Sequence, residues 1–257
     1  MAPIIHQNRL QEETRYLYGL ARLCGQRFNN RKSMMFISGT VYSKEVMIVE
    51  FEGKQYFRLM LECTRRRKDS SDIIPVMVPV NDRNRSLQFV GEGTLLTMIG
   101  TFRSYDWNDE ASKHHLEVFF EAQHFEFSDE MVNEKYDHNI VILSGYICKE
   151  PEIKVSKKGI TITEYRISVL NAEGKAEVFP IIAWGSKAVE IARNNKCGDN
   201  VRVLGRLQSR PYHKKTEGKD YIAYEVSSRF TKRRFKSGEK NTIPKNFEQP
   251  QLVEGAR

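Results

Sequence analysis

In the stretch "GDNVRVLGRLQSRPY" (198–212), Arg202, Arg206, Arg210 and Tyr212 all fall on even positions. Side chains alternate faces along a β-strand, so these four share one side with Leu204 and Gln208, while Val201, Val203, Gly205 and Leu207 share the other. Guanidinium groups interleaved with a ring on an outer barrel face suit one chemistry. Cations follow a phosphate chain while the ring stacks on an unpaired base, which contributes about 1–3 kcal/mol per base and tolerates any sequence. The hairpin that follows, "YHKKTEGKD" (212–220), adds Lys214 and Lys215, either as candidate phosphate contacts or as a solvated tip.

The same sentence is written earlier in the chain. "GTLLTMIGTFRSYDW" (93–107) has the same glycine–glycine–aromatic spacing, ending in Trp107 instead of Tyr212. A shift of 105 or 106 positions also lays "MFISGTV" (35–41) on "VILSGYI" (141–147), "IIPVMVP" (73–79) on "VFPIIAW" (178–184), and "LEVFFEAQHF" (116–125) on "YIAYEVSSRF" (221–230). Four collinear matches mark a tandem duplication. Apolar runs of strand length bounded by turn residues make each unit β. The convincing helix is Ser186 to Lys196, with Ser186 as N-cap, an apolar stripe of Ala188, Ile191 and Ala192, and Gly198 beyond its end. Three strands, a helix and two strands is the order of an OB fold, a five-stranded Greek-key barrel. The fold expected is therefore mainly all-β, two tandem OB barrels at 33–128 and 139–235. A helical segment occupies 1–32, a linker 129–138, and a basic, partly disordered tail 236–257. In the first unit "NDRNRSLQFVGEG" stands in for the helix and supports at most one helical turn.

"NIVILSGYICKEPEIKV" (139–155), "FPIIAWGSKAVEIA" (179–192) and the strand from Gly198 together resemble the bacterial single-stranded DNA-binding protein (SSB) family over residues 139–230. The first unit looks like a diverged copy. The resemblance implies a single-stranded DNA ligand and no cofactor or metal. It puts Trp184 at a stacking Phe position, Tyr212 at a stacking Trp position and Arg210 at a basic one; Lys154 and Arg166 complete the candidate set. It also shows departures: Val178 for a Trp, Pro180 for an Arg, and no Trp in "SVLNAEG". Some members carry two OB folds per chain and pair as dimers, so a homodimer assembling four folds is expected. This chain ends "QLVEGAR" in place of the family's acidic tip, so partner recruitment by that route is not expected.

Charge separates the two units. The 257 residues carry a formal charge of +8; residues 139–235 hold 19 Lys+Arg against 10 Asp+Glu, and residues 33–128 hold 11 against 14. The second unit is therefore the expected binder. The first keeps one platform, Trp107, with Arg103 nearby and the basic run "TRRRKD" (64–69). Leu10, Thr14, Leu17, Ala21 and Cys24 recur at three-four spacing, so residues 7–25 are expected to form an amphipathic helix, packed on the first barrel or, in the alternative, against another chain. Cys24, Cys63, Cys148 and Cys197 lack metal-ligand spacing and read as reduced, mostly buried thiols. No apolar run spans a membrane and the N-terminus has no signal-peptide core, so the expected setting is cytoplasmic and nucleoid-associated. Asp82, Asp106, Asp109, His114 and His115 form no acid–base constellation, which argues against an enzyme. The function expected is sequence-tolerant binding of single strands in replication, recombination, repair or mobile-element maintenance, with RNA as the other ligand for the same groove. The alternative is a primosomal-type adaptor holding a helicase, primase or initiator.

Overall fold

Four of the repeated glycines stand where strands cross too closely for a side chain. A Cβ on Gly100 or Gly145 would sit 2.1 Å from the carbonyl oxygen of Glu121 or Ser168, and one on Gly39 or Gly205 would sit 2.5 Å from that of Glu62 or Ser227. Gly93 and Gly198 instead supply φ values of 84° and 89° ahead of equivalent strands. Gly145→Ala is expected to cost about 2–3 kcal/mol, the upper end of overpacking, read as a lower urea midpoint. A loss under about 0.5 kcal/mol would show that the crossing relaxes freely.

The computed structural model describes residues 32–42, 46–65, 70–108, 112, 114–127, 139–156, 159–214 and 218–234. The expected helix at 7–25, residues 66–69 of the basic run, the linker, Lys215 and the tail lie outside these. The first unit comprises β1 (Ser33–Val41), β2 (Met47–Phe51), β3 (Lys54–Thr64), β4 (Ser71–Pro79), a 3₁₀ helix (Asp82–Phe89), β5 (Leu95–Asn108) and β6 (His114–Phe127). The second comprises β7 (Asn139–Val155), β8 (Thr161–Leu170), β9 (Ala176–Trp184), α1 (Ser186–Asn194), β10 (Asn200–Lys214) and β11 (Lys219–Arg233).

Pairing closes each unit into a barrel. β7 pairs with β8, β8 with β9, β9 in parallel with β11, β11 with β10, and β10 back with β7. The first unit repeats the circuit through β1, β3, β4, β6 and β5, again with one parallel pair, β4–β6. This is the OB order, with alternating inward residues such as Val201, Val203 and Leu207 fully buried.

Three details differ from expectation. The first barrel has a sixth strand, because the long first strand that stays whole as β7 is split there into β1 and β2. Its 3₁₀ helix runs eight residues, longer than one turn, because the Asn81 side chain accepts from the Arg83 and Asn84 amides and Leu87 buries in the core. α1 starts at Ser186 without a side-chain cap, Gly185 preceding it at φ 64°, and stops at Asn194. Thr163 Oγ1 reaches the Ala188 carbonyl at 2.9 Å, fixing α1 over the barrel mouth.

The two barrels are joined by a pseudo-twofold. β1 and β7 pair antiparallel with Met35 opposite Val141, which are equivalent positions of the repeat. The outer residues Met34, Phe36, Ile99, Ile140, Ile142 and Leu204 close into an apolar seam. Leu204 was expected on the open arginine face; it is 4% exposed because the seam covers that half of β10. Flanking the seam are two equivalent carboxylates, Asp72 and Glu177, each crossing to the other barrel. Asp72 accepts the Ser209 amide at 3.0 Å and Glu177 accepts the Ser104 amide at 3.1 Å; Ser104 and Ser209 are themselves equivalent.

Candidate nucleic-acid interface

Strand registers define the outer surface of the second barrel. Along one end Lys154, Ile162 and Trp184 lie side by side on β7, β8 and β9. The next rows hold Glu152, Glu164 and Ile182, then Lys149, Arg166 and Pro180, then Ser168 and Val178. β10 and β11 continue the surface as a long hairpin with Gln208 beside Glu225, Arg210 beside Ala223, and Tyr212 beside Tyr221. In OB barrels generally, the face of strands 2 and 3 and the flanking 1–2 and 4–5 loops receive oligonucleotides; here these are β8–β9, the β7–β8 turn and the β10–β11 hairpin.

Trp184 and Tyr212 both open to solvent, at 36% and 40% exposure. Tyr212 stacks on Tyr221 with ring centroids 5.7 Å apart and planes 26° off parallel, so the hairpin carries a double ring. Sequence reasoning missed Tyr221. Its signal was its place: with Tyr212 it brackets the lysine-rich turn symmetrically, as a cross-strand pair must. The two platforms are separate. Ile181 lies beside Val226, which puts Trp184 level with Arg229, eight residues beyond Tyr221 and so at most about 26 Å away along the strand. A ligand touching both would have to span that distance.

The cations divide into two groups. Lys154 is half-exposed and donates to Glu164 at 2.7 Å; that bond, against partial desolvation, raises its pKa. Arg210, 44% exposed, donates to Glu225 from Nε at 3.0 Å, a bond that also raises its pKa. Both present a charge beside a platform. Arg166 lies half-buried between Lys149 and Pro180, and Arg202 half-buried between Ser144 and Lys232. The backbone of Lys214 pairs with Lys219 at the hairpin end.

Arg206 and Arg103, by contrast, do not lie on an open track. Arg206 binds Asp72 across the seam, together with Arg65, whose Nε and Nη2 meet the same carboxylate at 2.9 and 2.5 Å. Burial lowers the Arg206 pKa, and neighbouring Arg65 and Arg229 add to this against the pull of Asp72. Arg103 donates to Glu177 and Glu121, both at 2.7 Å, and to Glu52 at 3.4 Å. Burial opposes its charge, but Glu177 and Glu121 outweigh burial and leave its pKa above the ordinary value. These two arginines cross-link the fold. Their spacing on the strand is right for phosphates; what the strand pattern hides is a carboxylate arriving from the other barrel.

The corresponding face of the first barrel is filled by its own side chains. Phe51, at the end of β2, makes edge contacts with Tyr105, Phe119 and Tyr56 at 5.0, 5.2 and 6.3 Å. Tyr56, Met77 and Phe119 are buried beneath it. Tyr56 Oη donates to Glu121 at 3.2 Å, and burial, with the Glu121 charge, pushes its pKa up to about 12. Trp107 is half-buried, stacked on His115 at 4.4 Å, with Nε1 donating to Glu117 at 3.3 Å. At the repeat shift of 106, Val49 and Phe51 correspond to Val155 and Lys157; Val155 is 69% exposed where Val49 is covered.

Residues 138–233 match the model of the single-strand binding protein family. A single-stranded DNA-binding protein of Clostridium tetani is 30% identical over 95 residues, which are 35% of this chain and 66% of that protein. Single-stranded DNA-binding protein 1 of Clostridium acetobutylicum is 34% identical over 95 residues, 34% of this chain and 86% of that protein. Among solved structures, the wild-type single-stranded DNA binding protein from Thermus aquaticus superposes with a TM-score of 0.62 at 18% identity, over 81% of this chain and 95% of that one. A deletion mutant of the same protein gives 0.59 at 17%, over 83% and 97%. The family match lies on the second barrel; the structural matches reach across both.

Proposed function

Because the chain belongs to the single-strand binding protein family, we propose that it binds single-stranded DNA without reading sequence, chiefly through the second barrel, in replication, recombination and repair or mobile-element maintenance. Membership in a family of binding proteins accords with the chain being no enzyme. No helix among the described residues is long and apolar enough to cross a membrane.

The observation that carries the reading is the contrast between equivalent faces. The second barrel leaves Trp184 and Tyr212 open beside Lys154 and Arg210, while the first covers the same face with Phe51. Bases would stack on the open rings and phosphates run past the cations. In the same reading two chains pair to present four barrels, an arrangement that the family resemblance supports and that light scattering at twice the chain mass would verify.

The test uses tryptophan fluorescence. Trp107 and Trp184 are the two tryptophans, so Trp107→Phe leaves Trp184 as the sole reporter. Oligo-dT is expected to quench it, with log K falling against log salt by about 0.7 per phosphate neutralised. Unchanged emission at low salt would reject the proposal. Competition with oligo-U measures any preference between DNA and RNA.

A further inference from the structure

Two of the four cysteines meet outside the core. β10 and β7 pair with Asn200 opposite Tyr146. One step on, the Ile147 amide donates to the Asp199 carbonyl at 3.0 Å and the Gly198 amide donates to the Ile147 carbonyl at 2.8 Å. Gly198, at φ 89°, is the extra residue of a bulge. The next facing pair is therefore Cys148 and Cys197. The Cys197 amide donates to Glu150 Oε2 at 2.8 Å instead of to Cys148, so this is a non-hydrogen-bonded pair. Such pairs hold their Cα atoms about 4.5 Å apart with side chains close, inside the Cα range of about 4.4–6.8 Å that a disulfide needs. Ile147 points into the barrel, so Cys148 faces outward, half-buried, and Cys197 is exposed.

We propose that Cys148 and Cys197 are a redox dithiol that closes to an intramolecular disulfide when the protein meets a peroxide. The two thiols play different parts. Burial, and then the charge of Cys197, push the Cys148 thiol up to about 12, so the exposed Cys197 reacts first. The Cys197 thiolate attacks one peroxide oxygen, the O–O bond breaks, and water leaves after protonation, giving a sulfenic acid. Cys148 then loses its proton and attacks the Cys197 sulfur; the S–O bond breaks and a second water leaves. Two thiols have given two electrons and two protons to one hydrogen peroxide. The bond ties β7 to the segment after α1 at the point where β7 shifts register, between Ile147 and Lys149. It therefore pins the root of the arm that carries Lys154. Cys63 takes no part, since it is buried in the first barrel and its thiol pKa lies well above the ordinary value through that burial.

The test treats the reduced full chain with hydrogen peroxide and maps its peptides without reductant. The expected product is one cross-linked peptide joining Cys148 to Cys197, lighter by two hydrogens and reversed by dithiothreitol. In Cys148→Ser, Cys197 should instead stop at its sulfenic acid, trapped by dimedone, or proceed to sulfinic acid. In Cys197→Ser, Cys148 should remain a thiol over the same time. Recovery of both cysteines as free thiols from the native chain, or Cys197 linked to any other cysteine, overturns the proposal.

Discussion

Asp72→Ala is expected to destabilise the protein by about 3–5 kcal/mol, the cost of removing one partner from a buried ion-pair network. The Asp72 side chain is 2% exposed and serves three donors: Arg65, Arg206 and the Ser209 amide. Its loss leaves two guanidinium groups facing each other at the seam with no shared counter-charge. Glu177→Ala tests the equivalent corner and should cost less, about 1–3 kcal/mol. There Arg103 keeps Glu121 at 2.7 Å, so its charge stays paired, while the Ser104 amide and Asn171 lose an acceptor. Urea denaturation followed by circular dichroism measures both. The Asp72 variant should also split one transition into two as the barrels uncouple. Equal and small losses at the two corners would show that the clamp is ornamental to stability.

The second large effect is on binding. Ala at both 184 and 212 is expected to weaken oligo-dT affinity by about 2–6 kcal/mol, since each ring contributes about 1–3 kcal/mol and sites this far apart add. That is at least roughly a 30-fold loss. Trp107→Ala, removing a half-buried ring on the covered face, should leave affinity nearly unchanged. The measurement is fluorescence anisotropy with labelled oligo-dT at fixed salt. Loss on changing Trp107, with none on changing Trp184 and Tyr212, would move the site to the first barrel.

Much of this architecture can be read directly from the residues. The repeated glycines at 39, 100, 145 and 205 betray both the duplication and the strand crossings, because a missing Cβ is a local demand that the sequence must state. The alternation of Val201, Val203 and Leu207 announces the inner face for the same reason. The arginines are harder. Arg202, Arg206 and Arg210 look alike on the strand, yet only Arg210 presents its charge beside a stacking ring, because which outer positions remain open is decided by the neighbouring barrel. A faint trace existed in the carboxylates: Asp72 and Glu177 stand at the same place in both repeats, each at the head of an otherwise apolar strand. A charge retained there has a buried partner. Phe51 was invisible for a different reason. Its role depends on the break between β1 and β2, which swings the short strand over Tyr56 and Phe119, and no pattern in "MIVEF" announces that swing.

The pairing of Met35 with Val141 has one more consequence. When two identical chains meet about a dyad, every substitution is worn twice, and a change that closes one groove closes its mate. Here the halves on either side of the axis are encoded separately. One copy is free to spend its outer surface on rigidity while the other keeps its surface for a ligand, without disturbing the contact that joins them.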